Sequence, residues 1–168
     1  MNDLDRAKDH LIRQGCTCVL CLDDRIIDSH LRGVAPLLAL LDSHRDLTGY
    51  SAADKVVGKA TAMLYRLLGV KAVWGAVMSK GAIQALRSGG IDTHWEQQVD
   101  HIVNRAGNGP CPMEAATAQI DDPPEALTAI RETLKNTSTG LAGGCHFTGI
   151  ALCSSLTRQT RKYDLPTA

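Results

Sequence analysis

The sequence has little of several features that mark specialised classes of protein. Aromatic residues make up 4% of the 168 residues, too few for the base-stacking surface of a single-stranded nucleic-acid binder. Lys and Arg together number 18, as do Asp and Glu, so no net field attracts nucleic acid or an anionic membrane. No apolar run reaches membrane-spanning length, and no basic segment followed by an apolar one opens the chain. We therefore expect a cytoplasmic protein that binds neither nucleic acid nor a membrane.

Sequence motifs for metal and phosphate binding are also missing. No Gly-x-Gly-x-x-Gly or Walker-type loop occurs, and the histidines fall in separate predicted elements without a His-x-x-x-His pair. Cys16, Cys18 and Cys21 have ligand-like spacing, but side chains alternate faces along a strand, so Cys21 points away from the other two. The sequence therefore predicts no metal site and no cofactor, and reduced thiols that pack as small apolar groups.

The remaining composition, 44% hydrophobic and 21% charged, is that of an ordinary globular domain. Periodicity and turn residues predict a helix over Asn2–Gln14, hairpin strands over Cys16–Leu22 and Arg25–Ser29, a short helix after Pro36, a helix from Ser51 to Gly69, a strand over Val70–Met78, a helix after Ser79, a helix opening at Cys111 and a helix over Asp122–Lys135. The segment 92–104 fits either a strand or a helix, and we favour the strand. This order predicts an α/β sandwich with a mixed sheet.

Two regions follow from the same pattern. Residues 1–136 contain all the periodic segments and form the predicted α/β domain. Residues 137–168 change to a composition rich in Ser, Thr and Gly and then to a basic, polar end. We expect this extension to be loosely packed or disordered.

The helix predicted from Ser51 to Gly69 carries the first candidate site. Ser51 fits an N-cap, and Asp54 lies three residues on, where a capping-box acid belongs. Lys55 and Lys59 are four residues apart on one predicted face, and together with the helix N-terminus they could hold an anion such as phosphate. The alternatives are that Asp54 only caps the helix and that the lysines form a solvated face.

The second candidate site is the loop and helix start at Gly107–Glu114. Its glycines and prolines permit close approach of the backbone to a ligand. A helix start stabilises a thiolate, so Cys111 is the best candidate nucleophile, with Glu114 nearby in sequence. The alternative is that Cys111 packs as a small apolar residue while Glu114 caps the helix.

Three separated segments resemble a bacterial family, domain of unknown function 1893: Arg32–Leu38, Ala53–Ala60 and Cys111–Glu114. The resemblance covers about Asp3 to about Asn136 and implies the cytidine-deaminase-like fold, a three-layer α/β/α sandwich with a mixed sheet.

Zinc-dependent deaminases of that fold hold zinc with a His or Cys before an Ala-Glu pair and with a Pro-Cys-x-x-Cys motif. By the resemblance, Asp54 takes the place of the proton-shuttling Glu and Ala52 stands at a ligand position. Cys111 is retained, but Glu114 replaces the second cysteine. Two of the three ligands are missing, so a deaminase-type zinc site is not expected.

In such folds both helix starts face one pocket, which implies that Asp54, Lys55, Cys111 and Glu114 are neighbours. We therefore predict a domain without zinc that binds a small anionic or nucleotide-like metabolite at two helix N-termini. The candidate ligand-binding residues are Lys55, Lys59, Ser79, Asn104 and Arg105, and the candidate catalytic residues are Cys111, Asp54 and Glu114. Two other functions stay open: an enzyme with Cys111 as nucleophile and Asp54 or Glu114 as acid/base, and a non-catalytic homodimeric interaction module.

Overall fold

The computed structural model describes residues 1–139 of the chain. Its elements are α1 (Asp3–Gln14), β1 (Cys18–Leu22), β2 (Arg25–Ser29), α2 (Ala35–Asp42), β3 (Ser51–Val57), α3 (Lys59–Leu68), β4 (Ala72–Ser79), α4 (Lys80–Ser88), β5 (Asp92–Val99), α5 (Pro112–Thr117) and α6 (Pro123–Thr139). From residue 140 onwards, the predicted extension lies outside the described residues.

The strands form one mixed sheet in the order β2-β1-β3-β4-β5. β1 is antiparallel to both β2 and β3, whereas β3, β4 and β5 run parallel and are connected through α3 and α4. Parallel neighbours need such crossover helices because the end of one strand and the start of the next lie on opposite sides of the sheet, a full strand length apart. The predicted α/β class with a mixed sheet is confirmed.

Helices cover both faces of this sheet. On one face α1 packs Ala7 and Leu11 against Val19, Ala53 and Trp74. On the other face α3 and α4 share the larger core with the sheet, and α6 packs against α3. Residues 1–139 therefore form a sandwich of three layers, in which α1 is the one helix described on the thinner side.

The helix predicted from Ser51 is wrong over its first two turns. Residues Ser51–Val57 form strand β3, which pairs with β1 and β4 on its two sides, and the helix begins only at Lys59. The sequence Ser-Ala-Ala-Asp-Lys permits a helix locally, but a strand at this position satisfies backbone hydrogen bonds to two neighbours and buries Ser51–Asp54. Gly58, not Ser51, is the N-cap of the helix.

Other predicted boundaries are confirmed. The Asn2 side chain accepts from the Asp5 backbone N at 2.8 Å, and Gly15 ends α1 in the left-handed conformation with φ 68°. Ser79 caps α4 by accepting from the Ala82 backbone N at 3.2 Å. The ambiguous segment 92–104 contains a strand, as favoured, which runs from Asp92 to Val99 and ends five residues before the end of that segment.

Candidate functional site

Three parallel strands end at one edge of the sheet, which we call the carboxyl edge. β3 ends at Val57 and β4 at Ser79, so that α3 and α4 both begin here. β5 ends close by at Val99, and the chain then leads through Ile102 towards α5. In open α/β sheets a ligand commonly occupies the crevice outside the carboxyl ends of the strands, so this edge is a candidate ligand site.

The carboxylate of Glu114 lies among the helix starts of the carboxyl edge. Its Oε1 accepts hydrogen bonds from the Ser79 hydroxyl and, at 3.4 Å, from the Lys59 backbone N, while its Oε2 accepts from the Ile102 backbone N. Glu114 is 9% exposed and Ser79 is fully buried. A carboxylate at a helix N-terminus is stabilised by the helix dipole and by charge-assisted hydrogen bonds. Glu114 therefore fastens α5 to the starts of α3 and α4.

Gly58 makes this arrangement possible because it leaves room for the carboxylate. A Cβ atom at this position would lie 3.1 Å from Ile102 Cγ1 and 3.5 Å from Glu114 Cδ. The sequence analysis did not single out Gly58, although a glycine between an apolar strand and a helix is a recognisable signal of close approach.

The two lysines predicted to share a helix face lie on different elements. Lys55 is on β3, and its Nζ donates to the Gly15 carbonyl at 3.1 Å. Lys59 opens α3, and its Nζ donates to the Ala118 carbonyl at 2.8 Å and to Asp121 Oδ1 at 3.0 Å. At the start of α3, where an anionic ligand was predicted, the Lys59 backbone N donates to the carboxylate of Glu114.

The loop before α5 contains three further predicted site residues. Asn104 stabilises this loop, since its Nδ2 donates to Asn108 Oδ1 at 2.9 Å and its Oδ1 accepts from the Asn108 backbone N at 3.2 Å. Arg105 is exposed on the same loop. Cys111 is half-buried at the N-cap of α5, and its backbone N donates to the Ile102 carbonyl at 2.8 Å. These contacts hold the loop against the carboxyl edge and leave the Cys111 thiol partly accessible.

Asp54 belongs to a separate buried cluster on β3. Its Oδ2 accepts from the Tyr65 hydroxyl at 2.9 Å, and its Oδ1 accepts from the Val56 backbone N at 3.0 Å. Cys18, directly opposite on β1, lies with its Sγ 3.3 Å from Tyr65 Oη. Either the Cys18 thiol or the Tyr65 hydroxyl can donate in this contact. Asp54, Tyr65 and Cys18 thus form a short hydrogen-bonded chain in the core.

Burial controls the ionisation of this cluster. Desolvation raises the pKa of Asp54 to about 7, although the hydrogen bonds from Val56 and Tyr65 and the charge of Lys55 act in the opposite direction. Desolvation also raises the pKa of Cys18 and of Tyr65 well above their ordinary values, and the neighbouring Asp54 carboxylate adds to both shifts. Cys18 and Tyr65 therefore stay protonated at neutral pH.

Asp54 and Glu114 have no hydrogen-bond partner in common within residues 1–139. Asp54 lies four residues before Gly58, which at about 3.3 Å per strand residue places it roughly 13 Å from the carboxyl edge. Ala52, at the ligand position implied by the resemblance, is buried in β3 and has no donor atom. These residues do not fit a deaminase-type zinc centre. Asp54 and the Glu114 carboxylate also do not form one site.

The opposite edge of the sheet has a groove, which we call the amino-edge groove. It has a volume of about 720 Å³ and lies between the start of α1 and the first residues of β3, β4 and β5. Lys71 Nζ lies 3.1 Å from Asp3 Oδ2, and His94 Nε2 lies 3.0 Å from Asp92 Oδ2. This groove could not be predicted from the sequence because its charged residues come from three separate segments: α1, the residue before β4, and β5.

Lys8 and Trp74 form part of the groove wall. The Lys8 ammonium lies 4.5 Å from the centre of the Trp74 ring, within the range of a cation–π contact. The Trp74 side chain is buried beneath it, and Trp95 on β5 lines the groove nearby. The wall therefore combines one flat apolar ring, that of Trp74, with charges of both signs.

A crystal structure of a DUF1893 family protein from Thermotoga maritima is similar to this chain. The two share 25% sequence identity with a TM-score of 0.71, over 80% of this chain and 90% of the Thermotoga maritima chain. No curated protein sequence matches. Within residues 1–139, none of the helices has the length and apolar character needed to cross a membrane. The model of the family described as "Domain of unknown function (DUF1893)" matches residues 6–134, and this chain therefore belongs to that family.

Proposed function

We propose that this protein binds a small zwitterionic metabolite, of the amino-acid type, in the amino-edge groove. The observation that carries the proposal is the groove itself. Its volume of about 720 Å³ lies within the range of roughly 300–1,000 Å³ that is usual for small-molecule sites.

The charges around the groove support a ligand that carries both signs. Asp3, Asp5 and Asp92 supply carboxylates, and Lys8 and Lys71 supply ammonium groups. A purely anionic ligand would meet the three carboxylates as well as the two lysines, whereas a zwitterion pairs with both sets. The Trp74 ring adds an apolar surface for the rest of the ligand.

The hydrogen bonds of Glu114 at the carboxyl edge also favour a ligand site in the groove over one at the helix starts. An anion at the N-termini of α3 and α4 would have to displace Glu114 from the Ser79 hydroxyl and from the Ile102 backbone N. Such a ligand would replace interactions that the protein already makes, so its net gain in free energy is small.

Calorimetric titration of the full chain tests the proposal. The ligands are the free amino acids, the common mononucleotides and inorganic phosphate, each at matched ionic strength. We expect binding of at least one amino acid that is lost in Lys71→Ala. Lys80→Ala is the matched control, because Lys80 is also an exposed lysine, paired with Asp100 at 2.6 Å near the carboxyl edge.

Two results would overturn the proposal. One is that none of the amino acids binds. The other is that a nucleotide or phosphate binds with an affinity that Lys71→Ala leaves unchanged. The carboxyl edge would then be the candidate binding site.

A further inference from the structure

Three potential metal ligands meet where α1 passes the β1–β2 hairpin. They are His10 on α1, Cys16 before β1 and Asp28 on β2, and their ligand atoms all lie within 4.8 Å of one another. His10 Nε2 and Asp28 Oδ2 are 2.7 Å apart. This cluster lies outside both the carboxyl edge and the amino-edge groove.

His30 lies next to the same cluster. Its Nε2 is 3.7 Å from Cys16 Sγ, and it is two residues after Asp28, the spacing that places both side chains on one face of an extended chain. The Thr17 backbone N donates to the Ser29 carbonyl at 2.9 Å, so the two ends of the hairpin are fixed beside each other. The backbone thus holds Cys16 and His30 together.

We infer that His10, Cys16, Asp28 and His30 form a structural binding site for one zinc ion. One thiolate, two imidazoles and one carboxylate are the donor types that zinc takes in proteins. Zinc–ligand bonds of about 2.0–2.3 Å in a tetrahedron place neighbouring donor atoms roughly 3.4–3.6 Å apart. The 3.7 Å between Cys16 Sγ and His30 Nε2 is close to that spacing. Binding of the ion opens the His10–Asp28 contact by less than 1 Å and draws together the other donor atoms of His10, Cys16 and Asp28, which lie within 4.8 Å of one another.

The position of the cluster indicates what the ion does. His10 belongs to α1, the one helix on the thinner side of the sandwich in the part of the chain that the structure describes. Asp28 belongs to the edge strand β2, and His30 follows directly after its end. A zinc ion here fastens α1 to the hairpin at the point where the sheet ends. Cys16 is fully buried while Asp28 and His30 are exposed, so the ion enters from the solvent side.

This site could not be predicted from the sequence because its residues lie in separate elements. His10 is on a helix, Cys16 is at the entry to a strand, and Asp28 and His30 are at the end of its antiparallel partner. None of the short-range motifs of zinc proteins joins them. Only the packing of α1 on the hairpin brings their donor atoms together.

Metal titration of the full chain after treatment with a chelator tests the site. We expect one zinc ion per chain by calorimetry, and a thiolate-to-metal charge-transfer band together with tetrahedral d–d absorption when cobalt is bound instead. Asp28→Asn and His30→Gln change exposed side chains, so they test the site without removing a core residue. Each should weaken zinc binding at least about 100-fold, more than the loss of a contact outside the ligand shell.

Cys16→Ser should remove the charge-transfer band, whereas Cys111→Ser and His101→Gln, which change a thiol and an imidazole elsewhere, should leave zinc affinity and cobalt spectrum unchanged. The inference is wrong if the chain binds no zinc. It is also wrong if zinc binding and the cobalt spectrum survive Asp28→Asn and His30→Gln, because the metal would then be held by other residues.

Discussion

Replacement of Glu114 by Ala tests the central contact of the carboxyl edge. The change removes the acceptor of the Ser79 hydroxyl and of the Ile102 backbone N, together with the weaker contact to Lys59 N at 3.4 Å. A hydrogen bond to a charged group contributes about 1.5–3 kcal/mol. Because the three bonds share one carboxylate, their contributions are not additive, and we expect a loss of about 3–5 kcal/mol in the free energy of unfolding.

The assay is urea unfolding of the full chain, followed by circular dichroism. Glu114→Gln should cost less, about 1–2 kcal/mol, because the amide oxygen still accepts from Ile102 N while the amide nitrogen donates to the Ser79 oxygen. Glu132→Ala, an exposed glutamate on α6, is the control and should change stability by less than about 0.5 kcal/mol.

Acetate provides a second measurement for the same substitution. Glu114→Ala leaves a space lined by the donors that held the carboxylate, so acetate should restore part of the lost stability while chloride at the same ionic strength should not. If Glu114→Ala unfolds at the same urea concentration as the unchanged protein, Glu114 does not hold the helix starts together. The carboxyl edge would then be open to an external anion.

Three further predictions concern Asp54, Gly58 and Cys111. The pKa of Asp54 is raised from 3.8 to about 7 in the folded protein, so the folded state binds more protons than the unfolded state between these values, and stability falls as pH rises through this window. Asp54→Asn removes the titrating carboxyl group, so the variant lacks this fall in stability. The free energy of unfolding of the variant, relative to that of the unchanged protein, should therefore increase by up to about 1.4 kcal/mol per pH unit between pH 4 and about 7 and level off above. Gly58→Ala should lower the free energy of unfolding by about 1 kcal/mol, because its Cβ would lie 3.1 Å from buried Ile102 Cγ1. Iodoacetamide should modify half-buried Cys111 in the folded protein before it modifies the buried thiols of Cys16, Cys18 and Cys21.

Each of these predictions has a contradicting result. A parallel pH dependence of Asp54→Asn and the unchanged protein would mean that Asp54 does not titrate in this window. An unchanged unfolding midpoint for Gly58→Ala would mean that Ile102 moves aside at no cost. Equal labelling rates for all four described cysteines would mean that burial does not protect the thiols on the hairpin.

Part of the candidate site was predictable from the sequence, and part was not. The pattern at Gly107–Glu114 correctly indicated a helix start, because proline after the N-cap and an acidic residue in the first turn act on their immediate neighbours. The partners of Glu114 were not predictable, since Lys59, Ser79 and Ile102 come from other parts of the chain. The placement of Asp54 beside Cys111 was an implication of the resemblance, and the hydrogen bonds connect Asp54 to Tyr65 and Cys18 instead.

The sequence by itself determined the features that depend on residues within about one helical turn. Asn2 and Gly15 mark the two ends of α1, and Ser79 marks the start of α4. These ends are local features because a helix cap forms between a residue and the backbone of its close neighbours. The mixed α/β architecture also followed from the order of periodic segments.

Only the tertiary structure decided where distant segments pair. Ser51–Val57 is a strand because β1 and β4 supply hydrogen bonds on both of its sides, and no local pattern contains that information. The Glu114 contacts and the His10–Cys16–Asp28 cluster have the same origin. Side chains far apart in sequence meet only after the sheet has set the positions of the helices around it.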